Sequence, residues 1–295
     1  MQKAQALTLV SQPGRLSGGV WERASALVQS RASPVSAPDW LAPGTACDWA
    51  VASCDWAALS ADLAALRVDA ALHFPGEERR KRLLIADMDS TLVQGETLDE
   101  LADEAGIKDR IAAITARAMA GELDFAEALT ERVAALAGLE EAALARTLAR
   151  TRMMPGARVL AATMKASGAV CWLVSGGFQA FTEPVAAALG FDRQQGNRLE
   201  VTDGRLTGRV LPPILDRDAK LSALQSVSGE HGLCLAEALA VGDGANDLAM
   251  LQAAGMGVAF HAKPAVRAAA RFQVNFTDLR TLLFYQGIRA QQFVR

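Results

Sequence analysis

Two aspartates separated by one residue follow a short apolar run, in the segment Leu83-Leu84-Ile85-Ala86-Asp87-Met88-Asp89. An apolar run that ends in acids is typical of a central parallel strand, whose carboxyl end lies at the sheet edge where α/β proteins bind ligands. Side chains alternate along an extended chain, so Asp87 and Asp89 are expected on one side, close enough to share a cation or one substrate atom. The alternative is a turn that carries two solvated acids. We favour the first interpretation, which predicts a functional site.

A second apolar run, residues 170–174, ends in Ser175-Gly176-Gly177. A hydroxyl followed by free backbone amides at the start of a helix forms a cradle for an anion such as phosphate. Taken alone, a serine at this place is more often only the N-cap of the helix. The segment therefore indicates either a phosphate cradle or a plain cap.

A third apolar run, residues 239–241, ends in Gly242-Asp243-Gly244-Ala245-Asn246-Asp247. Glycines allow this loop to fold tightly, which would turn Asp243 and Asp247 toward Asp87 and Asp89. Carboxylates are the ligands that Mg²⁺ prefers, and the lack of clustered His and Cys argues against zinc. The alternative is a turn with an Asn cap. Three acidic or polar strand ends in one sheet favour a magnesium site.

Two basic residues occupy places that a solvated side chain would not explain well. Lys220 falls near the start of a predicted helix, where a cation opposes the helix dipole unless it faces an anion. The alternative is a solvated lysine balanced by Asp216 and Asp218. Arg132 falls in the apolar row of another predicted helix, where a buried guanidinium needs a partner such as a substrate carboxylate. Snorkelling at the edge of that row is the alternative. Glu96 could hold a substrate ammonium.

The elements that must position these residues follow from the order of apolar patterns after residue 83. One strand, a group of helices and then alternating strands and helices predict an α/β fold, a doubly wound Rossmann-like parallel sheet with a helical cap inserted after its first strand. The cap spans about residues 96–153 and holds about four helices, one of them opened by the capping pair Asp124 and Glu127 and running to Ala137. Asp203-Gly204 predicts a hairpin.

The first eighty residues have the order βαββαβ, which predicts a small ferredoxin-like α+β unit over residues 1–80. Pro75-Gly76 and the charged residues 77–82 predict a turn and a solvated linker before a catalytic domain over residues 81–295.

Bulk composition excludes several classes of protein. The chain has 295 residues, 51% of them hydrophobic, which is ample for a sizeable core. A net charge of −3 without a basic block argues against a nucleic-acid partner. The sequence contains no apolar stretch of the roughly 18 residues that a membrane helix needs. Its cysteines lack CxxC spacing, so we expect reduced packing cysteines in a soluble, cytoplasmic protein.

Taken together, the motifs resemble those of the haloacid dehalogenase-like phosphohydrolases. The matching segments are DMDST from Asp87, VSGGF from Val174, Lys220 and GDGAND from Gly242. The resemblance covers about residues 83 to 295. Glu96 and the cap segment FxxxLxxRV, from Phe125 to Val133, are similar to the branch of that superfamily that acts on phosphoserine.

The resemblance implies a role for each motif. Asp87 would be the nucleophile that forms an aspartyl-phosphate, and Asp89 would protonate the leaving serine oxygen and then deprotonate water. Magnesium would be held by Asp87, the main-chain carbonyl of Asp89 and Asp243. The remaining implied roles are phosphoryl binding by Ser175, Gly176 and Lys220, recognition of the substrate ammonium and carboxylate by Glu96 and Arg132, and support from Asn246 and Asp247. The implied reaction is magnesium-dependent hydrolysis of L-phosphoserine to L-serine and phosphate.

Other readings stay open from the sequence. The same machinery serves a phosphotransferase, or a phosphatase for a related amino-alcohol phosphate such as phosphohomoserine. The alternative from another class is a phosphate-binding or scaffold protein without catalysis. The presence of all five polar motif residues disfavours it; they are Asp87, Asp89, Ser175, Lys220 and Asp243. The N-terminal unit resembles ACT-type domains, and we expect it to serve regulation or dimerisation, the latter giving a homodimer.

Overall fold

The computed structural model describes residues 4–295. Its N-terminal unit is a five-stranded sheet with two helices on one face. The elements are β1 (Gln5–Val10), α1 (Gly18–Arg31), β2 (Ala32–Pro34), β3 (Asp39–Ala42), β4 (Ala46–Cys54), α2 (Trp56–Ala65) and β5 (Asp69–His73). The sheet order is β2-β4-β1-β5, and the extra strand β3 also pairs with β4. The predicted βαββαβ order is thus present with one added strand, while the ACT-type assignment stays a prediction.

The second unit is built on a seven-stranded sheet. Its strands are β6 (Leu83–Ala86), β7 (Val170–Phe178), β8 (Arg193–Thr202), β9 (Arg205–Leu211), β10 (Ala238–Gly242), β11 (Met256–Phe260) and β12 (Phe272–Val274). The order is β12-β11-β10-β6-β7-β8-β9, and only β9 runs antiparallel to its neighbour. The predicted hairpin joins β8 to β9, with φ of 51° at Asp203 and 70° at Gly204. Strand β6 lies at the centre because all its side chains are apolar.

Four helices lie between Thr97 and Arg152, as the sequence predicts: α3 (Thr97–Glu104), α4 (Lys108–Met119), α5 (Phe125–Ala134) and α6 (Ala142–Arg150). The predicted capping pair opens α5, since the Glu127 amide donates to Asp124 Oδ1 at 2.8 Å and the Asp124 amide to Glu127 Oε2 at 2.9 Å. The prediction that α5 runs to Ala137 is wrong. The chain leaves the helix after Ala134 because Gly138, at φ 83°, donates its amide to the Leu206 carbonyl of β9 instead.

Helices cover both faces of the large sheet, which confirms the doubly wound architecture. They are α7 (Ala157–Ala166), α8 (Gln179–Leu189), α9 (Arg217–Glu230), α10 (Leu248–Ala253), α11 (Pro264–Ala269) and α12 (Thr281–Tyr285). Apolar side chains of α7, α8 and α12 pack on one face with Leu84 and Leu173, and those of α9, α10 and α11 pack on the other with Leu83 and Ile85. In the described part of the chain, no helix is long and apolar enough to cross a membrane.

The predicted solvated linker over residues 77–82 is correct for Glu77, Glu78, Arg80 and Arg82, which are exposed, and wrong for Arg79, which is half-buried, and Lys81, which is buried. The Arg79 guanidinium donates to Asp48 Oδ2 at 2.7 Å and to Thr8 Oγ1 at 2.9 Å in the N-terminal sheet. It also donates to the Tyr285 carbonyl at 3.0 Å and the Phe284 carbonyl at 3.3 Å, at the end of α12. Main-chain carbonyls at the end of a helix accept further hydrogen bonds, and this side chain supplies them in addition to the bond from the Gly287 amide to the Phe284 carbonyl. Arg79 therefore joins the two units instead of facing water.

Two further sets of contacts lie at this junction: Lys81 fixes the linker to the second unit, and Asp69 joins the two units. Lys81 is 7% exposed, and its amine donates to the carbonyls of Glu78 and Ala236. Asp69, in β5, is 3% exposed and accepts hydrogen bonds from the amides of the segment that follows β12. The donors are the amides of Asn275 (2.7 Å), Phe276 (3.1 Å) and Thr277 (3.0 Å) and the Thr277 hydroxyl (2.7 Å). The Asp69 carboxylate thus serves as the acceptor for these amides in place of the carbonyls of a neighbouring strand.

Candidate active site

The first predicted pair of acids lies at the carboxyl edge of the large sheet. The Asp87 amide donates to the Val241 carbonyl at 3.0 Å, so Asp87 still belongs to the ladder between β6 and β10. The chain then turns sharply, because Ser90 adopts a left-handed φ of 54° and donates its amide to the Gly95 carbonyl. Asp87 is 5% exposed and Asp89 is half-buried. The strand therefore delivers both carboxylates to one end of the sheet, which confirms the placement predicted from the sequence.

Lys220 is a buried member of this cluster, so the alternative of a solvated lysine is wrong. It is 1% exposed, and its Nζ lies 2.8 Å from Asp87 Oδ1 and 2.5 Å from Asp247 Oδ1. Asp216 caps α9 by accepting from the Asp218 amide, which sets the start of the helix that carries the lysine. Burial alone would lower the pKa of Lys220, but Asp87 and Asp247 together raise it. The ammonium is thus a fixed cation beside the predicted nucleophile.

A divalent cation fits the carboxylates at this edge. One oxygen each from Asp87, Asp243 and Asp247 lie within 4.8 Å of one another. Burial and the nearby Asp247 raise the pKa of Asp87 well above its ordinary value, against the opposing Lys220, and the same two causes raise that of Asp243 to about 6. Acids gathered in this way repel one another, and a hard cation with oxygen ligands relieves that repulsion.

The cluster differs in one member from the expected ligand set. Asp247, expected only as support, brings its carboxylate among the other two and accepts from the Gly244 amide at 2.9 Å through Oδ2. The Asp89 carboxylate instead meets the cap, where its Oδ1 accepts from the Thr97 amide at 2.9 Å. Binding of magnesium by the main-chain carbonyl of Asp89 stays a prediction.

Asp89 has the environment of an acid that exchanges protons near neutral pH. Desolvation and the neighbouring Glu96 raise the pKa of Asp89 to about 7, while the bond from Thr97 works in the opposite direction. Its other oxygen, Oδ2, faces Gly177, where a Cβ would lie only 2.8 Å away. Glycine at this position therefore leaves room for the acid. A carboxyl group with this pKa can both give and take a proton.

The Ser175 segment is built differently from either interpretation of its sequence. Strand β7 continues through Phe178 and α8 begins at Gln179, so Ser175 is not an N-cap and no helix start forms the cradle. Ser175 is 2% exposed, and its Oγ accepts from the Gly177 amide at 2.9 Å. The hydroxyl proton stays free to be donated. An anion site here would rest on a strand end and not on a helix dipole.

The cap supplies the other wall of the cavity. Phe125, Leu129 and Arg132 of α5 all line it, which confirms that the arginine lies on the inward row of that helix. Arg132 donates through Nε to the Ala128 carbonyl at 3.1 Å, and within residues 4–295 no carboxylate lies within 4.0 Å of its guanidinium. Glu96 lines the same cavity and accepts from Ser90 Oγ at 2.8 Å. The cap thus places one cation, Arg132, and one acid, Glu96, on the wall of the cavity.

The cavity encloses about 130 Å³ and brings most of the predicted site residues together. Those on its wall are Asp87, Asp89, Glu96, Arg132, Ser175, Gly176, Asp243 and Asn246. Lys220 and Asp247 lie behind Asp87, in contact with it or with each other. A space of this size suits a small, strongly polar molecule.

Two residues of the site escaped the sequence analysis. Asn197, in β8, is 1% exposed, donates to the Gly176 carbonyl at 2.8 Å and accepts from the Leu215 amide at 2.8 Å, so it holds the Ser175 segment against the approach to α9. No sequence signal marks it. Lys263 also lines the cavity. It follows the buried strand β11 by three residues, so a search for polar residues after each apolar run would have found it.

The comparisons with known proteins agree with this geometry. A family model described as haloacid dehalogenase-like hydrolase matches residues 84–252. Phosphoserine phosphatase SerB2 of Mycobacterium tuberculosis is 48% identical over 210 residues, which cover 71% of this chain and 51% of that protein. Phosphoserine phosphatase of Streptococcus thermophilus is 46% identical over 199 residues, covering 68% of this chain and 93% of that protein.

A solved structure extends the similarity to the N-terminal unit. The probable phosphoserine phosphatase from Vibrio cholerae, in its unliganded form, superposes with a TM-score of 0.81 at 30% identity. The match covers 98% of this chain and 88% of that one. By contrast, the chain spans about half the length of the relatives from Mycobacterium tuberculosis and Streptomyces coelicolor.

Proposed function

The chain belongs to the haloacid dehalogenase-like hydrolases, and from that premise we propose that it hydrolyses L-phosphoserine to L-serine and inorganic phosphate. One observation carries the proposal. A single cavity of about 130 Å³ joins the Asp87 and Asp89 carboxylates to a free cation and an acid of the cap, Arg132 and Glu96. The first pair suits transfer of a phosphoryl group, and the second matches the carboxylate and ammonium of an amino acid.

In the proposed reaction, an oxygen of Asp87 attacks the phosphorus of the substrate and forms an aspartyl-phosphate. The bond from phosphorus to the serine oxygen breaks, and that oxygen takes the proton of Asp89. Asp89 then removes a proton from water as the water oxygen attacks the phosphorus. Phosphate leaves, and the Asp87 carboxylate is regenerated. The pKa of Asp89, about 7, supports both transfers at neutral pH.

Charge on the transferring group must be balanced. Lys220, 2.8 Å from Asp87 Oδ1, lies where it stabilises negative charge beside the nucleophile, and the free proton of Ser175 can be donated to a phosphoryl oxygen. We assign Mg²⁺ to Asp87, Asp243 and the main-chain carbonyl of Asp89, with Asp247 beside them. When bound, such an ion neutralises charge on phosphoryl oxygens. The carboxylate cluster supports this assignment.

Recognition of the amino acid falls to the cap. Arg132 has no carboxylate within 4.0 Å in the described chain, and burial lowers its pKa although Asp99 and Glu96 act on it from longer distances, so a substrate carboxylate would supply a close partner. Glu96 would bind the ammonium. Phe125 packs over Gly176 so closely that a Cβ there would lie 2.9 Å from the ring, and this contact closes the cavity between cap and sheet. Water is thereby restricted near the phosphoryl site.

A panel of phosphate esters tests the proposal. With Mg²⁺ present, we expect phosphate release from L-phosphoserine to exceed release from phosphothreonine and phosphohomoserine. Equal rates on all three would contradict the substrate assignment, and transfer of phosphate to added homoserine would favour the phosphotransferase instead. For the N-terminal unit, regulation or formation of a homodimer stays a prediction.

A further inference from the structure

Lys263 lies on a loop that is fixed on both sides. The loop leaves β11 at His261, whose φ is 45° and whose amide donates to the Val274 carbonyl at 2.8 Å. The His261 ring nitrogen Nε2 lies 2.7 Å from the Thr277 carbonyl. On the other side, the Lys263 amide donates to the Asp243 carbonyl at 3.2 Å. The lysine is therefore held beside the third acidic strand end, at the beginning of α11.

The Lys263 side chain serves no structural purpose that the structure records. It is exposed, it lines the catalytic cavity, and it makes no side-chain cap for α11. Over residues 4–295, its ammonium has no carboxylate within 4.0 Å, although it acts on Asp243 from a longer distance. A free cation at the wall of an active site is available to an anionic ligand.

The cavity wall is otherwise acidic. Four of its side chains are carboxylic acids, namely Asp87, Asp89, Glu96 and Asp243, and only Arg132 and Lys263 are cations. Arg132 belongs to the cap and, in the proposed function, binds the carboxylate of the substrate. Lys220 is buried behind Asp87 and already has two carboxylate partners. An incoming phosphate ester carries two negative charges. Even with the proposed Mg²⁺ offsetting the charge of Asp87 and Asp243, it faces Asp89 and Glu96, so a further cation on the wall would favour its entry.

We propose that Lys263 recruits the phosphate group of the substrate. Its ammonium attracts the dianion into the cavity and offsets repulsion by Asp243 and its neighbours before the phosphoryl oxygens reach Lys220 and Ser175. No bond is made or broken in this step. The inference rests on the proposed function only in that the substrate is a phosphate ester, because the lysine acts on the phosphate and not on the amino acid.

The test is a charge series at position 263. Lys263→Gln should lower kcat/KM for L-phosphoserine about fivefold through KM, with kcat changed less than about twofold. Lys263→Glu should lower the logarithm of kcat/KM by twice as much as Lys263→Gln does. Lys263→Arg should keep kcat/KM at the wild-type value. Raising the ionic strength should lower kcat/KM of the wild type more steeply than that of Lys263→Gln. Lys108→Gln, at an exposed lysine of α4 outside the cavity, makes the same change of net charge and should have no effect.

Several results would overturn the proposal. These are a fall in kcat with KM unchanged, a loss in Lys108→Gln equal to that in Lys263→Gln, or an unchanged KM with a raised Mg²⁺ requirement, which would place the lysine with the metal. A lower unfolding temperature in Lys263→Gln that Lys263→Met shares would assign it to stability. p-Nitrophenyl phosphate separates this proposal from the proposed function. A fall in kcat/KM through KM by Lys263→Gln on that ester as well supports recruitment even if L-phosphoserine proves a poor substrate.

Discussion

The amide of Thr97, the first residue of α3, donates a hydrogen bond to Asp89 Oδ1 at 2.9 Å. The proposed acid and base is therefore bound to the first turn of the cap, the same element that presents Glu96. Because the bond favours the ionised form of Asp89 while Glu96 disfavours it, the position of the cap bears directly on the proton affinity of this group. Substrate recognition and proton transfer share one structural element.

Replacing the nucleophile should abolish turnover without unfolding the protein. An amide at position 87 cannot form the aspartyl-phosphate, so Asp87→Asn should release phosphate at least about a thousandfold more slowly than the wild type. Phosphate release and thermal unfolding measure the two properties. Asp203→Asn is the matched control, because Asp203 lies in the hairpin turn, outside the cavity, where asparagine accepts the same φ. Residual activity near the wild-type level would refute the role of Asp87.

Arg132→Ala should discriminate between substrates. L-phosphoserine loses a charged partner for its carboxylate, so its kcat/KM should fall about 10- to 100-fold. Hydrolysis of p-nitrophenyl phosphate, which has no carboxylate, should change far less. Steady-state kinetics on both esters provides the measurement. Similar losses on both would give Arg132 a structural role in the cap.

Divalent cations should stabilise the folded protein in the absence of substrate. A ligand that binds only the native state raises the free energy of unfolding in proportion to the logarithm of its concentration. Adding Mg²⁺ should therefore raise the unfolding temperature, and a chelator should reverse the change. Asp243→Asn removes one member of the carboxylate cluster and should abolish most of the shift, whereas Asp203→Asn should retain it. An equal shift in both variants would place the ion elsewhere.

His73 should make stability depend on pH. The ring is 3% exposed and stacks on Phe272 with 5.0 Å between centroids, and burial together with Arg79 lowers the pKa of His73 to about 3. Between about pH 6.5 and 3, the unfolded chain binds a proton at His73 that the folded chain does not. This group therefore makes the free energy of unfolding fall by at most ~1.4 kcal/mol for each pH unit of acidification in that range, and its contribution is complete above it.

Denaturant titrations at several pH values test the histidine. His73→Phe removes the titrating group while keeping an aromatic ring, so its unfolding free energy should decline less steeply between pH 6.5 and 4 than that of the wild type. Parallel curves for the two proteins would show that His73 does not titrate differently in the folded and unfolded states.

Asp69→Ala should destabilise the junction between the two units. The substitution leaves three backbone amides, one buried and two partly buried, and one buried hydroxyl without their acceptor, at a cost of about 3 kcal/mol in the free energy of unfolding. Asp62→Ala, at a largely exposed ion pair, should cost less than about 1 kcal/mol. Equal losses in the two variants would mean that the contacts of Asp69 contribute nothing beyond those of a surface pair.

The sequence predicted the site where its residues follow strands. Asp87, Ser175 and Asp243 each come after an apolar run, and parallel strands bring such ends to one edge, so their convergence needed no knowledge of loop geometry. The inward position of Arg132 followed from helical period alone. These predictions succeeded because period and strand polarity are local properties of the chain.

The failures concern contacts between distant segments. Asp247 faces the other acids, as the glycine loop predicts, but its place within the carboxylate cluster and not only beside it was not expected. Asn197 and Arg79 bind carbonyls that are 21 and 206 residues away in the sequence. The type of a charged or polar residue does not indicate such distant partners. The early end of α5 likewise depends on a carbonyl of β9.

Arg79 also sets an order of events during translation. Its acceptors lie at Thr8 and Asp48 in the N-terminal unit and at Phe284 and Tyr285 at the end of α12, more than 200 residues later. A ribosome must therefore synthesise the chain from Thr8 to Tyr285 before this guanidinium can find all of its partners. Until α12 has been synthesised, Arg79 can bind only Thr8 and Asp48 of the N-terminal sheet.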